Sequence, residues 1–326
     1  MSSKMKALVF EQFGGPEVLA YKEIPAPELK PGTVLVRMKA AGLNYADIYR
    51  RRGNYHLAGN PPYILGYEGA GIVEAAAADA AELKPGDRIA FCDVPHANAE
   101  LVQVPLEKAI PLPEDIPFET AAAILLQGMT AHYLTRDSYK VQAGDEVLVH
   151  AAAGGVGQLL VQLAKRQGVR VLGLVSSEAK RDAARAAGAD EVLLYSSSWV
   201  EAVKHWSISG NGVTVAYDSV GSTLMDSFAA VRTKGTVVFY GMAGGDPAFV
   251  DPRMLMDTSK TLTGGDLWNH VTSRDDRLRR ANELFSWLRD GSLRLETPGA
   301  FSLSEGAEAH RMLESRLSTG KIILIP

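Results

Sequence analysis

Apolar positions in the first hundred residues come in short strand-like runs broken by glycine and proline. Met5–Phe10 and Val34–Ala40 carry strand-forming residues, and Gly71–Glu74 and Arg88–Phe91 predict two more strands. Gly14-Gly15-Pro16, Lys30-Pro31-Gly32 and Lys84-Pro85-Gly86-Asp87 mark the turns. This pattern predicts a compact, mostly β module rather than an open sheet covered by helices. A proline-rich passage from Pro105 to Pro117 leads into an apolar helix predicted from Phe118 to about Tyr133.

At Glu146 the period changes. A strand at Glu146–His150 runs into Ala151-Ala152-Ala153-Gly154-Gly155-Val156-Gly157 and then a helix, Gln158–Arg166. Further strands are predicted at Val169–Val175, Glu191–Leu194, Val213–Tyr217 and Thr236–Tyr240, separated by helices at Glu178–Ala187, Val200–Trp206 and about Leu224–Val231. Strands alternating with helices of this length predict a parallel sheet with right-handed crossovers. After Gly264 the pattern loosens to a long helix (Arg274–Leu288), a shorter one (Ser304–Leu313) and an apolar closing strand (Lys321–Ile325). The β/α unit thus sits mid-chain, and the sequence on either side of it could form one discontinuous domain.

Composition narrows the function classes. The chain has 326 residues, 46% hydrophobic and 22% charged, which suits a globular protein of two domains. Its formal charge of −4 and lack of a basic block give a nucleic-acid interface little support. The run Arg50-Arg51-Arg52 reads as a solvated face or a local anion contact. One cysteine, Cys92, excludes an intrachain disulfide framework and any multi-cysteine metal site. No run reaches the roughly 18–20 apolar residues of a membrane span. The N-terminus lacks an apolar stretch followed by a cleavage site, so a cytoplasmic protein is expected.

The chemistry concentrates at Ala152-x-Gly154-x-x-Gly157, between a predicted strand and helix. Gly154 lets the backbone approach a pyrophosphate, Gly157 permits close helix–strand packing, and the helix N-terminus favours the anion. Ala152 replaces the usual first glycine, which requires a turn compatible with a Cβ. An NAD site carries Asp or Glu at the end of the second strand, whereas here the sequence is Ser176-Ser177-Glu178-Ala179-Lys180. Loss of the carboxylate removes repulsion of a 2′-phosphate, and Lys180 can neutralise one, so NADPH is the expected coenzyme. Lys180 also reads as an exposed helix lysine, and Glu178 argues the other way if it turns inward. Asp218-Ser219-Val220-Gly221 and Phe239-Tyr240-Gly241 end the next strands, where an aromatic side chain could cover a nicotinamide or simply close a strand.

Gly144-Asp145, Leu148, Ala152-Ala153-Gly154-Gly155, Gly157, Gln162 and Lys165 together form an extended signature. With Gly14-Gly15-Pro16-Glu17-Val18-Leu19, Asn44-Tyr45-Ala46-Asp47, Gly69-Ala70-Gly71 and Leu313-Glu314-Ser315-Arg316, the chain resembles the quinone oxidoreductase and zeta-crystallin branch of the zinc-independent medium-chain dehydrogenase/reductase family over essentially its whole length. The resemblance implies an α/β Rossmann coenzyme domain (about 128–264) inserted in a discontinuous GroES-like β catalytic domain (about 1–127 and 265–326). It also implies a homodimer formed through the coenzyme domain. Asn44, Tyr49 and Thr130 match positions lining the nicotinamide or substrate cleft. Gly155, Val156, Ser176, Lys180 and Tyr195 match positions around the phosphate and adenosine. Ser219, Phe239, Gly241 and Arg316 match coenzyme contacts. Asp47 and Tyr55 fall near the substrate cleft.

The chain departs from zinc alcohol dehydrogenases where zinc chemistry would appear. Asn44 stands near the expected first cysteine ligand, and Gly66-Tyr67-Glu68 has tyrosine where a histidine ligand would be. One carboxylate cannot make a tetrahedral site, and no metal is expected. A quinone or enone is already electron-poor, so hydride transfer needs orientation by Asn44 and a hydrogen bond from Tyr49 or Tyr55 to the developing oxygen, with solvent supplying the proton. Three readings stand: quinone reduction, reduction of an α,β-unsaturated aldehyde, ketone or thioester, and a non-catalytic NADPH-binding or structural protein.

Overall fold

The computed structural model describes residues 3–196 and 198–326. The chain divides into two compact units. The outer unit comprises residues through Leu126, then Thr272–Ser286 and Leu295–Pro326; the middle unit comprises Gln127–Val271 and Trp287–Arg294.

In the outer unit the long strand Thr33–Leu43 is central. It pairs antiparallel with Glu68–Ala76, with Leu101–Pro105 and with the closing strand Ile322–Ile325. The sheet continues through Arg88–Cys92 to Ile110–Pro111 on one side and through Gly299–Ser302 on the other. A smaller sheet holds Ala20–Pro25, Lys4–Phe10 and Tyr63–Ile64. Val34, Val36, Ile89, Phe91, Val102 and Leu324 are almost fully buried between these elements.

The middle unit is a six-stranded parallel sheet. Its spatial order is Glu191–Leu194, Arg170–Val175, Glu146–Val149, Val213–Asp218, Val231–Phe239 and Thr261–Gly264. The order reverses between Glu146–Val149 and Val213–Asp218, and the crevice beyond the carboxyl ends of such strands is where open α/β sheets bind ligands. The inner strands Arg170–Val175, Glu146–Val149 and Val213–Asp218 are mostly apolar and buried almost throughout, as covering on both faces requires. Trp287–Arg294 joins this unit through specific contacts. Trp287 stacks on His132 with ring centroids 5.9 Å apart and receives the guanidinium of Arg166 at 4.6 Å. The Gln162 amide clasps the Arg294 backbone, donating to its carbonyl at 3.0 Å and accepting its N–H at 2.7 Å.

Among the elements that escaped the apolar pattern, four stand out. Ala20–Pro25, Thr261–Gly264 and Gly299–Ser302 are strands at sheet edges, where exposed polar positions weaken the alternation. The fourth is the helix Tyr45–Arg52, whose arginine run corrects the expectation of a solvated face. Arg50 and Arg51 are fully buried, on Asp47 and Glu314 respectively, and only Arg52 is exposed. Arg51 also donates to His310 Nδ1 at 2.9 Å, binding the helix Gly306–Glu314 to the first helix.

This contact leaves His310 Nε2 buried with no hydrogen-bond partner among the described residues. Burial, reinforced by the positive charge of Arg51, pushes the imidazole from 6.5 down to about 3. The folded protein therefore holds His310 neutral while the unfolded chain takes up a proton below 6.5, so this contribution is present above that value and lost as the pH falls. Denaturant titrations should show about 2 kcal/mol of His310-dependent stability lost between neutral pH and about pH 5. His310→Gln, which keeps an acceptor for Arg51, should flatten the profile by that amount; an identical profile in the variant would contradict it.

Candidate active site

In the middle unit, strand Glu146–Val149 reaches helix Gly155–Lys165 in five residues. The departure from the glycine pattern resolves in two places. Ala151, not Ala152, takes the left-handed backbone conformation (φ 48°). Ala152 is buried, donates its N–H to Leu174 at 3.0 Å, and fits because Gly173 faces it: a Cβ there would lie 2.7 Å from the Ala152 Cβ. Gly154 donates to the Ala151 carbonyl at 2.8 Å. A Cβ on Gly157 would meet that same oxygen at 2.2 Å, so this glycine lets the helix begin flush against the turn. Gly154 caps the helix with no side-chain acceptor, and the amides of Gly155, Val156 and Gly157 have no carbonyl of their own helix to reach. Such an end is a cradle for a diphosphate.

Two other signature residues are staples of this unit. Lys165 binds both oxygens of Asp190 at 2.8 Å, and Gln162 makes the clasp on Arg294.

At the end of the second strand Ser176 and Ser177 are exposed. A single 3-10 turn, Glu178–Lys180, precedes the helix Arg181–Ala186, where one continuous helix was expected. Glu178 pairs with Arg181, the first residue of that helix, at 3.1 Å, and Lys180 is half-buried one turn beyond Ser177. Tyr195 follows the third strand, and its hydroxyl accepts the Ala151 N–H at 3.2 Å. The turns after the fourth and fifth strands are stitched together, Tyr240 donating to Asp218 at 2.9 Å and Ala243 to Ser219 at 3.0 Å. A Cβ on Gly241 would come within 3.1 Å of the Ser219 carbonyl. Phe239 packs against the apolar core of this sheet, and Thr130 is buried in helix Phe118–Tyr133.

In the outer unit, Asn44 ends the long strand and caps helix Tyr45–Arg52. Its N–H donates to Asp47 Oδ2 at 2.9 Å in a capping box. The register Leu43↔Ile322 brings the residue before the closing strand, Lys321, beside Asn44. The ammonium donates to Asn44 Oδ1 at 2.8 Å and also to Glu68 Oε1; Asn44 Nδ2 donates to the same Glu68 oxygen at 2.7 Å. Glu68 Oε2 accepts from the Leu126 amide at 2.9 Å. All three side chains are buried. Gly42 makes room for them, since a Cβ there would lie 2.3 Å from Glu68 Oε1.

Asp47 is fully buried, with one oxygen on the Asn44 amide and the other 3.3 Å from Arg50. Burial raises its carboxyl above the ordinary value, opposed by Arg50, the Asn44 amide and Lys321. It therefore holds the first helix in place. Tyr49 and Tyr55 come together edge-on, centroids 6.4 Å apart, and the Arg50 guanidinium lies over Tyr55 at 5.0 Å and over Tyr67 at 3.6 Å. The Tyr67 hydroxyl, at the position where a zinc dehydrogenase would carry a histidine ligand, accepts the Ala58 N–H at 3.1 Å. Cys92 is buried and its thiol pushed up to about 12, chiefly by burial. Among the described residues no group of three His, Cys, Asp or Glu side chains could hold a metal ion. Arg316 takes a left-handed conformation (φ 58°) just beyond helix Gly306–Glu314.

Sequence reasoning passed over Glu68 and Lys321 as a pair. Only the lysine standing before the apolar run Ile322–Ile325 hinted at it.

The two units match two family models, an alcohol dehydrogenase GroES-like domain over residues 30–138 and a zinc-binding dehydrogenase over residues 155–285. These define the class, a chain that carries a GroES-like module and a dehydrogenase coenzyme module. A quinone oxidoreductase of Pseudomonas aeruginosa is 39% identical, covering 98% of this chain and 99% of that protein. A 2-haloacrylate reductase of Burkholderia is 34% identical over 98% of each. The Escherichia coli quinone oxidoreductase, solved as a complex with NADPH, superposes with a TM-score of 0.94 at 34% identity, covering 98% of this chain and 100% of that one. The chain belongs to the quinone oxidoreductase branch of the medium-chain dehydrogenase/reductase family.

The buried Lys321–Glu68 pair yields a stability prediction. Lys321→Met leaves the Glu68 carboxylate uncompensated and should cost about 3–5 kcal/mol, read as a lowered denaturation midpoint. The double variant Lys321→Met, Glu68→Gln should recover part of that loss. A single variant as stable as the parent would show that the pair contributes nothing.

Proposed function

We infer that this protein is an NADPH-dependent quinone oxidoreductase that delivers hydride to a quinone without a metal ion. The observation that carries the reading is the helix N-terminus set flush on the Ala151–Gly154 turn at the sheet's reversal point. Support comes also from the relatives, quinone oxidoreductases by name, one of them solved with NADPH.

Gly154, Gly155, Val156 and Gly157 receive the diphosphate. Ser176, Ser177 and Lys180 receive the 2′-phosphate, and Glu178, turned to Arg181, does not oppose it. Tyr195, Ser219, Phe239, Gly241, Thr130 and Arg316 complete the coenzyme contacts. Bound NADPH supplies the hydride. Asn44, its amide fixed by Lys321 and Glu68, orients the reactants. Tyr49 or Tyr55 donates a hydrogen bond to the oxygen that gains negative charge, and solvent provides the proton. Asp47 contributes by holding Asn44 and Arg50.

The 2-haloacrylate reductase relative favours a second reading, saturation of an electron-poor double bond by the same arrangement. We further propose a homodimer through the middle unit. The outward edge of Thr261–Gly264 is unpaired among the described strands, and Phe249, Met256 and Leu262 are exposed in the same unit. A cytoplasmic location suits the single buried cysteine. No helix among the described residues is long and apolar enough to cross a membrane.

NADPH consumption with a panel of quinones, enones and alkenals, followed by product identification, tests the activity. Hydroquinone formation supports the primary reading and Cα–Cβ saturation the second; tight NADPH binding without turnover on any acceptor would overturn both. Lys180→Ala should weaken NADPH relative to NADH by about ten- to a hundredfold, the loss of one charge-assisted phosphate contact. An unchanged ratio of dissociation constants would remove Lys180 from the specificity site.

A further inference from the structure

Behind the coenzyme turn lies a polar chain built on His150 and Asp218, which end neighbouring strands of the parallel sheet. His150 closes strand Glu146–Val149, Asp218 ends strand Val213–Asp218, and Ser227 lies on helix Leu224–Ala230; all three are fully buried. Asp218 Oδ1 accepts the amides of Val220 at 2.8 Å and Gly221 at 3.1 Å. Its Oδ2 accepts the hydroxyls of Ser227 at 2.6 Å and Thr223 at 2.8 Å.

These contacts fix the imidazole tautomer. An ionised carboxylate has no proton to give, so Ser227 donates to Asp218, and its oxygen is left to accept from His150 Nε2–H at 3.0 Å. Nδ1 is then bare and accepts the Tyr195 hydroxyl proton at 3.1 Å. The Tyr195 oxygen in turn accepts the Ala151 N–H at 3.2 Å. Every hydrogen bond from Ala151 to Asp218 thus runs in one direction and ends on a negative charge, an arrangement in which each bond strengthens the next. Burial holds the His150 imidazole below its ordinary value against the pull of Asp218 and Asp226, which keeps it neutral. Burial raises the Asp218 carboxyl, while the hydrogen bonds it accepts from the Ser227 hydroxyl and the amides of Gly221 and Val220 lower it.

The residue at the head of this chain is strained. Ala151 holds a left-handed φ of 48° without being glycine, a conformation that persists only where neighbours enforce it. Its carbonyl is the oxygen on which Gly154 bonds and against which Gly157 packs. A change at Ala151 therefore moves the whole cradle.

We propose that His150 is a positioning residue of the coenzyme site: through the Tyr195 hydroxyl it holds Ala151 and so keeps the turn in the conformation that receives the diphosphate. The proposal rests on the coenzyme reading given above. His150 acts at a distance from any ligand, and the diphosphate is common to NADPH and NADH, so its loss should weaken both alike.

The test is calorimetric titration of NADPH and NADH into wild type, His150→Phe, Tyr195→Phe and the double variant, with thermal unfolding recorded for each. Phenylalanine keeps a ring against the edge of Trp199 but offers no acceptor. We expect His150→Phe to raise both dissociation constants by a common factor of about five, the loss of one neutral hydrogen bond. In the Tyr195→Phe background it should add nothing further. Additive effects, a change confined to NADPH, or unchanged affinity for both coenzymes would each overturn the proposal. If His150→Phe does not fold, Ser227→Ala replaces it; a common rise that vanishes in the Tyr195→Phe background supports the proposal, and affinities equal to wild type overturn it. Failure of wild type itself to bind either coenzyme would instead defeat the coenzyme reading.

Discussion

Much of the middle unit turns on one carbonyl, that of Ala151. Gly154 bonds to it, Gly157 can approach it only because it has no Cβ, and the backbone that presents it is bent into a conformation alanine rarely adopts. The geometry sets the helix Gly155–Lys165 directly over the end of its strand, with first-turn amides that lack carbonyl partners in their own helix at the reversal point of the sheet. The glycine usual at the first position has been moved one layer away. Gly173, on the neighbouring strand, gives up its side chain so that Ala152 can keep one. A motif that looks degraded in one dimension is complete in three.

The outer unit answers a different constraint. Cysteine and histidine are missing where a zinc dehydrogenase would have ligands, yet Glu68 is retained and fully buried. A buried carboxylate needs a counter-charge, and Lys321 provides it from the closing strand while the Asn44 amide bridges the two. The cluster fastens the end of the long strand, the start of the first helix and the closing strand at one point. That is a rigid place from which Asn44 can act.

The parts that were legible share a physical cause. The inner strands of the parallel sheet are buried on both faces and read as mostly apolar runs, and the long apolar helix was found at Phe118–Tyr133. Edge strands such as Thr261–Gly264 bury little and left no pattern. The first helix was legible in principle from Asn44-x-x-Asp47, but its three arginines hid the apolar face because two of them are buried on carboxylates. The Lys321–Glu68 and His150–Tyr195 contacts depend on the register of strands far apart in the chain. Periodicity carries no information about such register.

The central claim is that the Ala151–Gly157 turn receives the coenzyme diphosphate. Amide hydrogen exchange tests it directly, because the first-turn amides of Gly155, Val156 and Gly157 lack carbonyl partners in their own helix and should exchange fast in the free protein. Saturating NADPH should slow exchange at these amides, and NADH should protect the same ones. Tight NADPH binding that left them unprotected while shielding another segment would contradict the account.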